Sequence, residues 1–196
     1  SGGGSGFQYL FSPKWKQTTL LLWSMWMGYA FLYYGCVIAT TMVFADKNPT
    51  SSLYHFDYGA LFIANTAEIV GTTIIVLTVD HWGRIPTQSI AYVGGGVCVL
   101  MLCLLAKSTQ HNTQYYRMVM VILAFGTRMF MMMASCVTAV TTAELLPTNI
   151  RTTGHSAANA IAKIGGFICP FVVAPSTSLT TIGITMFGMA CFTAVC

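Results

Sequence analysis

Six apolar stretches, each near the roughly 20 residues a helix needs to cross a bilayer, constrain this chain more than any other feature. Inside hydrocarbon every backbone group must be satisfied within its own segment, so stretches of this length commit the chain to helices packed in lipid. The spans are expected at about 18–44, 58–79, 85–106, 117–143, 152–174 and 179–196. The predicted fold class is an all-α membrane protein with six transmembrane helices. Charged residues make up 7% of the chain, against roughly 25% in soluble domains. So few charges cannot cover a surface that faces water.

The segments between the spans fit this division. Ser12-Pro13 opens the first span, with Lys14 and Lys16 beside it. Ala45 to Asp57 is a polar loop with Asn48-Pro49 as its turn signal. Pro86 falls in the first turn of the third span, where a missing N–H costs nothing. The last stretch has 18 residues, or roughly 27 Å of helix, which barely spans. Residues 1–10 open with Ser1-Gly2-Gly3-Gly4-Ser5-Gly6, a flexible-linker composition, natural or engineered, that points to something upstream. No signal-peptide pattern precedes it. The six-helix unit is expected over 11–196.

An even number of spans places both ends on one side. That side carries Lys14, Lys16, Arg84 and Arg151, and the other carries Lys47, Lys107 and Arg117. The positive-inside rule makes the first side cytoplasmic. The basic residues are scattered, which excludes a nucleic-acid surface. The cysteines fall inside apolar stretches without a CxxC or Cys/His cluster, so buried thiols are expected, with no metal site, disulfide framework or cofactor. No Ser/His/Asp set converges at one depth, so no catalytic residues are assigned.

Three charges fall deep within spans. Glu68 lies twelve residues before Asp80, Lys163 twelve after Arg151, and Arg128 eleven into its stretch. Each is therefore roughly 17–18 Å from that reference point and near the middle of its span. A charge at that depth costs roughly 2.5–3.5 kcal/mol on an insertion scale. Each has polar company: Asn65, Glu68 and Thr72 at i, i+3, i+7; Arg128, Ser135 and Thr142 every seven; His155, Asn159 and Lys163 every four. Three helices with one polar face each are expected to surround a watery cavity. Glu68, Arg128, Lys163 and Asn159 are the candidate substrate or ion residues. Glu68 can equally pair with Arg128 or Lys163 to hold helices together, and one pair can serve both purposes.

The first span adds Trp26, Tyr29 and Tyr33 on one face at i, i+3, i+7. Rings with a polar handle suit a cavity wall, and also packing or interfacial anchoring. Trp26 and Tyr33 join the candidate site. Gly94-Gly95-Gly96 and Gly165-Gly166 are expected to allow close helix approach.

Two turns carry paired charges: Asp80-His81-Trp82-Gly83-Arg84, and Glu144 through Pro147 and Thr148 to Arg151. Gly83 permits a sharp reversal and Pro147 stops a helix. Asp80 and Glu144 are placed to accept hydrogen bonds from Arg84 and Arg151. Such networks can latch one conformation and release it in another, so Asp80, Gly83, Arg84, Glu144 and Arg151 are candidate gating residues.

Together these turns resemble the major facilitator superfamily. The first is similar to its D-R-x-G-R-R signature, the second to its E-x-x-P-T-x-x-R element. Thr18 to Trp23, Ala30 to Gly35, Ala67 to Gly71, Thr127 to Phe130, Ala162 to Gly165 and Pro170-Phe171 resemble the synaptic-vesicle-protein-related branch and its organic-ion transporter relatives. His81, Ile85-Pro86, Val70 and Lys163 depart from that pattern; a lysine keeps charge but loses the bidentate fork. The resemblance covers roughly Phe11 to Cys196 and implies the carboxy-terminal half of a twelve-helix transporter with its solute near the midplane. The implied activity is secondary transport of a small charged organic solute by alternating access, in a plasma or intracellular vesicle membrane. The implied partners are the bilayer, the solute and an amino-terminal six-helix half, upstream or on a separate chain. The competing reading is a non-transporting membrane subunit or vesicle scaffold.

Overall fold

The computed structural model describes residues 10–47, 54–56, 58–108, 114–173 and 178–196. The Ser/Gly stretch through Tyr9, the Asn48-Pro49 turn and the residues around the end of the fifth predicted span lie outside them. Six long helices follow one another: α1 Lys16–Val43, α2 Tyr58–Trp82, α3 Arg84–Ser108, α4 Gln114–Leu145, α5 Thr148–Val173 and α6 Leu179–Val195. All six expected spans are helical, and several helices run past the apolar stretch that marked them. The 32 residues of α4 make about 48 Å of helix, longer than the roughly 30 Å hydrocarbon core. Helix ends thus reach into the polar interface, where Glu144 and Arg84 lie. Five of the helices are long and apolar enough to cross a membrane, and α6 is shorter at 17 residues.

One connection differs from the sequence reading. Within the polar segment after α1, β1 (Ala45–Lys47) and β2 (Tyr54–Phe56) pair antiparallel, Ala45 opposite Phe56 and Lys47 opposite Tyr54. Outside the bilayer, strand pairing is one way for a short connection to satisfy its backbone groups.

The packing has two seams of small residues. On α2 the buried positions are Ala60, Ala64, Ala67, Gly71 and Ile75, a stripe that packs against α4. A Cβ at Gly71 would lie 2.5 Å from the Met129 carbonyl oxygen. On α5, Ala158, Ala162, Gly165 and Cys169 form the equivalent stripe against α1, while Gly154 near its start faces Leu146 and Leu10. A Cβ at Gly165 would run into the carbonyl oxygen of Met27. Small residues at this spacing let backbones approach closely where lipid offers no hydrophobic drive to association. The third glycine group works likewise: Gly95 and Gly96 of α3 take up Met131 of α4 and Ala190 of α6.

Many large apolar side chains point the other way, although Trp26, Phe31 and Tyr92 are buried. Phe62 is 75% exposed and Phe167 69%, while the buried set is mostly Ala, Met, Cys and small aliphatics. In water this arrangement would be unstable; in lipid the outer aromatics are solvated by hydrocarbon chains.

Candidate functional site

The α1 aromatic face meets the α4 polar stripe residue by residue. Trp26 Nε1 donates to Thr142 Oγ1 at 2.9 Å, and Tyr29 donates its hydroxyl to Ser135 Oγ at 2.8 Å. Tyr33 donates to Glu68 Oε1 at 3.2 Å, and the Arg128 guanidinium sits over the Tyr33 ring, 6.0 Å from its centroid. Positions rise along α1 as they fall along α4, so the two helices are antiparallel. Both stripes are legible in the sequence; that they close on each other is not. The α4 stripe is therefore engaged by α1 rather than left to line a cavity of its own.

Glu68 and Arg128 form the charged centre. Arg128 NH1 lies 3.0 Å from Glu68 Oε1. The Arg128 side chain is 9% exposed and that of Glu68 30%, so the guanidinium is almost fully withdrawn while the carboxylate keeps an open side. One carboxylate oxygen takes both the arginine and the tyrosine. The Arg128 Nε is buried without a hydrogen-bond partner among the described residues. Removing the Tyr33 hydroxyl takes a donor from a charged acceptor, so Tyr33→Phe is expected to cost about 1.5–3 kcal/mol. Tyr29→Phe loses a neutral bond and should cost about 0.5–1.5 kcal/mol. Denaturant unfolding of the two variants in one detergent checks this order.

Lys163 does not join the pair. It is exposed on α5 with no ion pair among the described residues, and Asn159, one turn before it, is exposed as well. The α5 stripe divides: His155 turns inward to pack edge-on against Trp26, ring centroids 5.1 Å apart, while Asn159 and Lys163 stay on the open face. Glu68 thus chooses Arg128 over Lys163 because α2 packs directly on α4, and the small-residue seam brings the two backbones together.

At one end of the bundle the paired-charge turns converge, with one correction to the expected partners. Arg84 binds both carboxylates. Its Nε and NH2 form a fork on Glu144 at 3.0 Å each, and NH1 reaches Asp80 at 3.1 Å. Arg151 does not reach Glu144; its Nε donates to the Leu146 carbonyl at 3.3 Å. Pro147 ends α4 just before α5, which leaves that carbonyl exposed to the first turn of α5. Gly83 has φ of +84°, a backbone region that side chains other than glycine's disfavour. The reversal there aims Arg84 across to α4.

Sequence reasoning missed a buried polar group further along α3. Gln88 Nε2 donates to Met25 Sδ at 2.8 Å and Thr138 Oγ1 at 3.2 Å, and the Tyr92 hydroxyl shares Thr138 at 2.7 Å. The signal was available: Gln88 and Tyr92 stand four apart in an apolar helix and share a face.

This is the architecture of a multi-pass transporter bundle in the bilayer, with charge held at mid-depth and a charge bracket at one end. The chain belongs to the Sugar (and other) transporter family, whose profile matches residues 9–196. It is 34% identical over 170 residues to organic cation/carnitine transporter 7 of Arabidopsis thaliana, covering 83% of this chain and 32% of that protein. It is 30% identical over 180 residues to the synaptic vesicle 2-related protein of Rattus norvegicus, covering 83% of this chain and 31% of the relative. The chain thus spans about a third of the length of these relatives. Its six helices form one half of the twelve-helix major-facilitator fold, and the family and the Arabidopsis relative are named as transporters, not as enzymes.

Proposed function

We propose that this six-helix unit is the carboxy-terminal half, over 11–196, of a protein that moves a small charged organic solute across a membrane by alternating access. The observation that carries the reading is the Arg128–Glu68 pair held at mid-depth, with Tyr33 on the same carboxylate oxygen. A purely structural bundle has little reason to keep charges that cost this much in lipid. Arg128 and Glu68 offset each other, which leaves Lys163 as the uncompensated charge of the three and supports an acidic group on the solute. Asn159 beside it and the open side of Glu68 complete the proposed solute face; Trp26 positions α5 through His155. The partner is an amino-terminal six-helix half, upstream or on a separate chain, that shelters this face from lipid. The Asp80–Arg84–Glu144 bracket, aimed by Gly83, with Arg151 holding the next turn, is the proposed latch. A plasma or vesicle membrane fits the names of the relatives.

The test is uptake by the full-length protein in proteoliposomes, with organic cations, anions and zwitterions offered at two pH values. Glu68→Gln and Arg128→Ala are each expected to lower uptake of the transported solute about tenfold or more, since each removes charged hydrogen bonds. Glu144→Gln should change the rate more than the apparent affinity. A second reading is a non-transporting scaffold, favoured by the closure of the α4 stripe onto α1. Absence of uptake for every solute class, in protein that remains folded, would decide for the scaffold.

A further inference from the structure

Leu10 is 0% exposed, although it stands six residues before α1 begins. Its side chain sits in a socket made largely by the α4–α5 turn. It clusters there with Leu146 and Ile150, and with Leu22 of α1. Gly154 leaves the room: a Cβ there would run into Leu146 Cδ1 and come within 3.4 Å of Leu10 Cδ2. The Leu10 carbonyl is held as well, because Thr19 Oγ1 of α1 donates to it at 3.1 Å. A tight turn joins the two points, with the Trp15 and Lys16 amides donating to the Ser12 carbonyl at 3.0 and 2.9 Å. Phe11 packs edge-on against Trp23, ring centroids 5.5 Å apart.

The turn beneath Leu10 is the one that carries the charge bracket. Glu144, gripped by Arg84, stands two residues before Leu146, and Arg151 holds the Leu146 carbonyl. This end lies in the polar interface. Water reaches it, so burying a leucine here has a hydrophobic drive that the middle of a bilayer does not offer. We infer that residues 10–16 are a strap. Leu10 clamps the α4–α5 turn and keeps Glu144 where Arg84 can grip it, and withdrawal of Leu10 loosens turn and bracket together. The chain reaches Leu10 from the Ser/Gly-rich residues 1–9, so displacement of that stretch acts on the bracket through one side chain. Control of transport by this route rests on reading the bracket as the latch; the strap itself rests on the contacts alone.

The test is hydrogen–deuterium exchange of the full-length protein in lipid nanodiscs, read peptide by peptide. Leu10→Ser should speed exchange across 144–154 about tenfold or more, because the socket loses a buried leucine side chain. Leu10→Met, close in volume, should recover most of that protection. Phe11→Ala removes a ring that is 41% exposed and should change exchange there less than about threefold. The α2 seam peptides over 60–71 should stay at the wild-type rate, which separates loosening of the turn from general unfolding. Leu10→Ser combined with Glu144→Gln should give less than the product of the two single effects, since each releases the same turn. Unchanged exchange in Leu10→Ser, equal acceleration over 60–71, or strictly multiplicative effects in the double variant would each overturn the strap. Protection does not depend on transport: the expected exchange pattern in a protein that takes up no solute supports the strap and overturns only the transport reading.

Discussion

Arg128→Met should destabilise the folded protein by about 3 kcal/mol, the low end for breaking a buried ion pair. The low end applies because Glu68 keeps 30% of its side chain exposed while Arg128 keeps only 9%. The cost comes from what stays behind: a carboxylate near the middle of the membrane, with the Tyr33 hydroxyl its one remaining side-chain partner among the described residues. The double variant Glu68→Gln/Arg128→Gln replaces the charges by neutral partners of similar shape, and should recover most of the loss. Unfolding of the wild type, both singles and the double in one detergent gives the coupling by a mutant cycle. Strictly additive losses would mean that the two charges do not interact in solution, and would remove the main support for a charged centre here.

The second large effect concerns a residue with no side chain. Gly165→Val places a branched Cβ against the Met27 carbonyl oxygen, which belongs to the α1 backbone and cannot rotate aside. Overpacking of well-fitted cores costs about 1–3 kcal/mol, and a clash with backbone belongs at the upper end or beyond. The expected result is loss of most monodisperse protein after extraction, with the remainder less stable by about 3 kcal/mol. Gly188 supplies the control, since nothing lies within 4 Å of a Cβ built there. Gly188→Ala should leave stability unchanged or raise it by up to about 1 kcal/mol through helix propensity. Equal effects at the two positions would mean that α5 does not pack on α1 through this seam.

Much of the architecture was legible beforehand. Six apolar stretches gave six helices, because in lipid length and apolarity leave a segment little choice of structure. The polar stripes were legible too, because helical periodicity fixes which side chains share a face. Among the details that escaped, two bear on how the helices pack. Ala60, Ala64, Ala67 and Gly71 form as important a seam as the glycine pair on α5, yet alanines in an apolar helix look unremarkable until a partner backbone is seen against them. The Arg84 fork on Glu144 escaped because its ends are 60 residues apart, whereas the eye pairs charges within one turn motif.

The sequence by itself determined that this chain crosses a membrane, where its helices fall, and which residues carry charge into hydrocarbon. These follow from local chemistry: the transfer cost of each side chain and the repeat of the helix. Only the tertiary structure decided that Glu68 pairs with Arg128 and leaves Lys163 open, and that Arg84 holds two carboxylates while Arg151 caps a carbonyl. Those choices depend on which helices approach within hydrogen-bond reach. That in turn is set by seams of small residues acting between elements, which no periodicity along a single helix encodes.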